Sequence, residues 1–205
     1  MAATERPLRA DAERNLQRIV AAATEAFGRD GLEAGVDAIA KEAGVGVGTL
    51  YRRFPTKGDL IAAVMQARTS ETVRLVRAID EPDPGRALAA AARLVAERTA
   101  SDRGLFDTLV AELPCAQTLD GMRSELLAAL EPLLEAAQDA DAVRDDITAG
   151  DLLAILASVA RISPRFWDAP PDLWTRYLVL VLDGLSPRVA SPLPHVAPPR
   201  RLAGR

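Results

Sequence analysis

Apolar positions recur at three- and four-residue steps along most of the chain, while β-branched alternating runs are scarce. That pattern predicts helices almost throughout. Leu16, Ile19, Val20, Ala23 and Phe27 line one face of a first helix, and Gly31 stands where a helix end takes a left-handed residue. A short second helix turns Val36, Ile39, Ala40 and Ala43 inward and ends at Gly44. A third begins near Gly46 or Val47 and points Leu50 and Phe54 inward. It stops at Pro55, which restricts the residue before it and has no N–H. Thr56 opens a fourth helix. With Asp59 three residues on, it reads as a capping box carrying Asp instead of the usual Glu. Leu60, Ile61, Val64 and Met65 form its inner face, and the pattern continues past Arg68 and Thr72 towards Ile79.

The break is DEPDPGR, from Asp80 to Arg86. Further helices are expected at about Arg86–Ala100, Gly104–Leu113, Leu119–Ala140, Ala149–Ile162 and Asp172–Leu185. Pro114, Gly121, Gly150, Pro164 and Pro170–Pro171 punctuate them. Beyond Ser186 prolines accumulate and apolar periodicity fades, which reads as a mobile tail. No internal repeat is present, and the expected fold class is all-α.

Composition narrows the class. At 205 residues, 49% hydrophobic and 26% charged, the chain reads as a globular protein able to bury a core without staples. The single cysteine, Cys115, excludes an intramolecular disulfide framework. The opening MAATERPLRADAERN carries charges where a signal peptide needs an apolar core, and no apolar run reaches membrane-spanning length. The expectation is a cytoplasmic protein with no membrane partner. The net charge of −4 argues little against a nucleic-acid partner, because the placement of positive charge decides that.

The stretch AGVGVGTLYRRFP, Ala43 to Pro55, invites two opposed readings. A phosphate loop needs Gly-x-x-x-x-Gly-Lys-Ser/Thr between a strand and a helix. Here Gly44, Gly46 and Gly48 follow a helix, and no Lys-Ser or Lys-Thr comes after them. The dinucleotide fingerprint fails in the same way. A helix-turn-helix fits: two short helices, a glycine-bearing turn, Ala40 at their close contact and Val45 packed in the turn. The second helix offers Thr49, Tyr51, Arg52 and Arg53 on or near its outer face. From Gly44 to Gly58 the chain carries Arg52, Arg53 and Lys57 and no acid, a positive footprint in an acidic protein. Lys57 falls in the first turn of the fourth helix, where backbone N–H groups and a lysine together suit a phosphate.

IAKEAGVGVGTLYRRFPTKGDLIAAV, Ile39 to Val64, resembles the N-terminal signature of the TetR family of bacterial transcriptional regulators. The preceding RNLQRIVAAATEAFGRDGLEAGVDA also matches, including the helix-one Ala-Ala and the Phe-x-x-x-Gly. The likeness covers the first quarter to third of the chain. It implies residues 1–14 as an N-terminal arm, with Arg6, Arg9 and Arg14 read either as minor-groove followers or as a disordered terminus. Residues 15–60 become a DNA-binding domain with the start of helix four, 61–186 an effector-binding and dimerisation bundle, and 187–205 a disordered tail. Carried over by position, Gly46, Val47, Gly48 and Thr49 begin the recognition helix. Tyr51 and Arg52 touch backbone, Arg53 lies beside them, and Lys57 is the phosphate-binding lysine. Gly35 stands where many members have a Ser or Thr that caps helix two and touches phosphate. Gly46 and Val47 replace a more usual Ser and a polar residue, so few side chains at the helix tip can read bases.

The remaining two thirds carry no matched motif. Phe106, Leu109, Met122, Leu126, Arg161 and Trp167 are the candidate effector-site residues, for an apolar effector. Leu152, Ile155, Leu156 and Val159 with Trp174, Leu178, Val181 and Leu182 form two apolar stripes that suit a homodimer interface. The late cluster Phe166, Trp167, Trp174 and Tyr177, with Arg161 and Arg165 near, reads either as a ligand-stacking wall or as an interface or core cluster. Cys115 reads as an inert thiol and His195 as a tail residue, since one ligand makes no metal site. No Ser-His-Asp set, metal cluster or cofactor loop points to an enzyme or a cofactor. The expected function is a repressor that leaves a palindromic double-stranded operator when a small effector binds. The alternative is a DNA-binding interaction protein that positions a protein partner.

Overall fold

The computed structural model describes residues 5–102, 116–160, 162, 170, 172–189 and 191–194. Among them are eight α-helices and no strand: α1 (Glu5–Asp30), α2 (Val36–Glu42), α3 (Val47–Arg53), α4 (Lys57–Arg77), α5 (Pro84–Ser101), α6 (Ala116–Asp139), α7 (Ala149–Ala160) and α8 (Trp174–Gly184). The all-α expectation holds. The chain forms two compact units; one break falls inside α6, after Thr118, and one inside α4, after Arg68. That is several residues beyond the boundary at 60 and 61 expected from the sequence.

In the first unit Ile19, Ala23 and Phe27 of α1, Ile39 and Ala40 of α2, Leu50 of α3 and Leu60, Ile61 and Val64 of α4 are all buried, with α1 against α2 and α2 against α3. Burying each such Ile, Leu or Phe side chain contributes about 1.5–3 kcal/mol. Leu16 and Val20, expected on the same face, are half-buried at its edge. The Arg68 guanidinium donates to the Thr24 carbonyl at 3.2 Å and ties α4 to α1. Helix α1 starts at Glu5, so residues 5–14, read from the sequence as an arm, lie in helix.

Two glycines act as the pattern requires. Gly31 and Gly44 have φ of +60° and +65°. After α2 the Val45 N–H donates to the Ala40 carbonyl at 3.0 Å and the Gly44 N–H to Lys41 at 3.1 Å. This is a Schellman closure, and it reverses the chain within four residues.

In the second unit Asp83 caps α5 by accepting the Arg86 N–H at 2.8 Å, with Pro84 in the first turn. The small residues Ala87, Ala91 and Ala92 are buried on α5, which packs against α7 and α8. Leu130 and Leu134 of α6, Leu152 and Leu156 of α7 and Leu178 of α8 fill the same core. Thr148 and Asp151 form a reciprocal capping box at the start of α7. Helix α6 ends in a second Schellman closure, with Asp141 in place of glycine at φ +53°.

The expected helix at 104–113 lies outside the described residues, as do Cys115 and His195. The segment after Ser186, read as a tail, begins with a 3-10 turn at Pro187–Val189. Arg144 anchors the backbone just beyond that turn: its guanidinium donates to the Ser191 carbonyl at 2.6 Å and to Asp146 at 2.7 Å. No described helix is long and apolar enough to cross a membrane.

Candidate nucleic-acid interface

Helix α3 has seven residues, and one buried side chain, Leu50, fixes its orientation. Helical geometry then puts Gly48 and Arg52, four residues apart, on the side opposite Leu50. Thr49 and Arg53 flank them on one side and Val47 and Tyr51 on the other. Thr49 is half-buried, whereas Gly46, Gly48, Arg52 and Arg53 are exposed. Val47 is 39% exposed and Tyr51 45% exposed. A core role for Tyr51 is thereby excluded, and its ring with a polar tip lies on the flank of the exposed face away from Arg53.

The start of α3 is held by backbone alone. The Gly46 carbonyl accepts the N–H of Thr49 at 2.8 Å and of Leu50 at 3.1 Å, and no side chain caps the helix. The same holds for α2, whose N-cap is Gly35 in extended conformation without a side-chain bond.

At the far end Phe54 is buried and extended, as the residue before a proline should be, and α4 starts three residues later, at Lys57. The Thr56 hydroxyl accepts the Asp59 N–H at 3.1 Å, and the Asp59 carboxylate accepts the Thr56 N–H at 2.9 Å and its hydroxyl at 2.7 Å. The capping box expected from the sequence is formed. It also engages the acid closest to the basic stretch. Lys57 is half-buried with its ammonium 6.0 Å from the centre of the Phe27 ring on α1. Arg18 of α1, to which the sequence pattern assigned no role, lies against the turn: its Nη1 is 3.5 Å from where a Cβ on Gly44 would stand. Its partner is the Asn15 side chain. The chain separation from Arg18 to Gly44 left no periodic signal for this neighbour.

The other candidate residues fare unevenly. Phe106, Leu109, Arg161 and Trp167 lie outside the described residues. Met122 is buried, and Leu126 is half-buried against the core of the second unit. Of the eight proposed interface residues, Leu152, Leu156, Val159 and Leu178 are buried within the single chain, at 0%, 0%, 5% and 0% exposure. They are core residues and have no surface to give to a partner. Ile155, Trp174, Val181 and Leu182 are partly exposed, whereas Val179 and Leu180 on α8 are the exposed apolar pair at 46% and 59%. The period-3.6 stripe located the inner face of α8 and not its outer one. Of the late aromatics, Trp174 and Tyr177 pack against that core. Arg14 is exposed on α1. Among the described residues no cluster of His, Cys, Asp and Glu suits a metal ion.

Comparison with known proteins agrees with this geometry. Residues 19–64 match the family model described as bacterial regulatory proteins, tetR family. Residues 83–187 match that described as transcriptional regulator SbtR-like, C-terminal domain. The crystal structure of the TetR transcriptional regulator SCO0520 from Streptomyces coelicolor is similar at TM-score 0.61 and 35% identity, over 84% of this chain and 98% of that one. A TetR transcription regulatory protein from Mycobacterium vanbaalenii is similar at TM-score 0.63 and 37% identity, over 88% and 99%. An HTH-type transcriptional regulator of Staphylococcus aureus is 47% identical over 60 residues, 29% of this chain and 32% of that protein. The match thus spans about a third of that curated relative's length.

Proposed function

Since the chain belongs to the TetR family of helix-turn-helix transcriptional regulators, we propose that it is a homodimeric repressor, released from a palindromic operator by a small-molecule effector. The observation that carries this reading is the exposed face of α3. Gly48, Arg52, Tyr51 and Val47 stand clear of the core around a buried Leu50, with Lys57 following and no acid between Gly44 and Gly58.

In this reading a two-fold dimer presents two α3 helices to successive major grooves, one per half-site. Arg52, Arg53 and Lys57 supply the phosphate-directed charge, and Tyr51 donates its hydroxyl to a phosphate. Thr49 and Arg52 read bases. The tip of α3, with Gly46, Val47 and Gly48, contributes shape and one apolar contact instead of hydrogen-bonded readout. The effector binds the second unit. It favours a conformation in which the two recognition helices no longer match the half-site spacing, which requires a difference in effector affinity of about 1–3 kcal/mol between states. Helix α4 carries residues of both units and is the natural route of coupling.

Selection of bound sequences from random duplex DNA tests the reading. A palindromic consensus, a steep salt slope and weakened binding by Arg52→Ala and Tyr51→Ala are expected. Folded, dimeric protein that enriches no sequence would overturn the operator reading and direct the search to a protein partner.

A further inference from the structure

Helix α6 carries an apolar stripe at three- and four-residue steps: Leu119, Leu126, Leu130, Leu134 and Ala137, of which Leu130, Leu134 and Ala137 are at most 2% exposed. One position of that stripe, four residues after Leu119 and three before Leu126, holds Arg123. A guanidinium keeps its charge at any physiological pH and accepts no hydrogen bond. Its place among leucines is costly unless something answers the charge.

Among the described residues no hydrogen bond or ion pair to the half-buried Arg123 does so. The Nε of Arg123 is buried and has no hydrogen-bond partner, the one such side-chain atom among the described residues. Nη2 lies 3.7 Å from where a Cβ on Gly150 would stand, so the side chain reaches the first turn of α7, where glycine leaves it room. The acid of that turn, Asp151, is bound up with the Thr148 N–H and hydroxyl. The N-terminal end of α7 adds partial positive charge to the guanidinium instead of offsetting it. An unpartnered Nε–H beside a planar fork is the arrangement that a carboxylate satisfies side-on, through Nε and one Nη together. Of its neighbours on α6, Met122 is buried, and Leu126 and Leu127 are half-buried against the core, while the Thr148 hydroxyl lies near the same point of α7.

We propose that Arg123 receives the carboxylate of an amphipathic effector, a monocarboxylic acid whose apolar body lies along Met122 and Leu126. This rests on the effector-responsive reading above and sharpens it: the effector is an acid with an apolar body, not a neutral apolar molecule.

Octanoate and its neutral counterpart octanamide test this by calorimetric titration of the full-length chain. The parent should bind octanoate at least about tenfold more tightly than octanamide, and Arg123→Gln should lose that preference. Arg93→Gln, on the exposed side of α5, should keep it. Independently, Arg123→Leu should raise the thermal midpoint of the ligand-free protein by about 2–4 °C, because a leucine completes the stripe that the arginine interrupts. Equal binding of acid and amide by the parent, no binding of either, or an unchanged preference in Arg123→Gln overturns the proposal. So does a lowered midpoint in Arg123→Leu, which would make the arginine a structural residue. Operator selection by the parent is read separately: its failure sinks the regulator reading, whereas a selected operator with no acid preference sinks this proposal alone.

Discussion

The ammonium of Lys57, in the first turn of α4, lies 6.0 Å from the centre of the Phe27 ring near the end of α1. Two residues thirty positions apart thus set where one cation of the basic stretch stands. Lys57→Met should weaken operator binding most at low salt and reduce the slope of log K against log salt by about 1. Phe27→Leu should cost about 1 kcal/mol of stability yet keep the parent's slope, because the charge remains. A slope unchanged in Lys57→Met would remove that residue from the phosphate contacts.

The start of α4 depends on the reciprocal bonds between Thr56 and Asp59. Thr56→Ala should destabilise the protein by about 1 kcal/mol, and Thr56→Ser by only a few tenths. Urea unfolding followed by circular dichroism checks both. Equal losses in the two variants would mean that the methyl group matters and the hydroxyl does not.

Gly35 caps α2 with backbone only, and a Cβ added there meets nothing within 4 Å. Gly35→Ser supplies the missing hydroxyl and reduces the freedom of the unfolded chain, so stability should rise by about 0.5–1 kcal/mol. Operator binding should tighten in the same variant if a phosphate lies at this helix end. The two effects separate cleanly, since thermal unfolding reads one and DNA titration the other.

Asp141 and Gly44 make a mirrored pair of predictions. Both end a helix in the left-handed region, one with a Cβ and one without. Asp141→Gly should stabilise by about 0.5–1 kcal/mol, and Gly44→Ala should destabilise by about 1–2 kcal/mol. The nearest atom to the added Cβ at Gly44 is Arg18 Nη1 at 3.5 Å, an ordinary contact, so its cost is conformational. Chemical denaturation of both variants beside the parent is the measurement.

Hydrogen bonds from Arg144 hold the Asp146 carboxyl below the usual aspartate range, against an opposing push from desolvation. A carboxyl with a lowered folded-state value stabilises the fold above its unfolded value, and that contribution disappears as pH falls through the folded value. At about pH 6 the parent should therefore unfold at a higher temperature than Asp146→Asn, with the gap closing as pH falls through the folded value. A gap that persists in acid would assign the effect to shape and not to charge.

Local rules carried most of the first unit. Helix periodicity, Gly31 and Gly44 at the turns, Pro55 as a stop and the Thr56–Asp59 cap all act between residues a few positions apart. Such interactions are written directly in residue order. The basic stretch was legible for the same reason, because Arg52, Arg53 and Lys57 share one short segment with no acid. Tertiary packing decided the rest. An apolar stripe shows which face of a helix avoids water but not what covers it. Hence Leu152, Leu156, Val159 and Leu178, expected at a dimer surface, fill the chain's own core, and Val179 and Leu180 are left outside. Arg18 beside Gly44, Lys57 over Phe27 and Arg144 on Ser191 join distant parts of the chain, and no period in the sequence encodes such pairs. Arg123 stands between the two cases: its place in a leucine stripe can be read from residue order. That its Nε has no partner is a fact of packing.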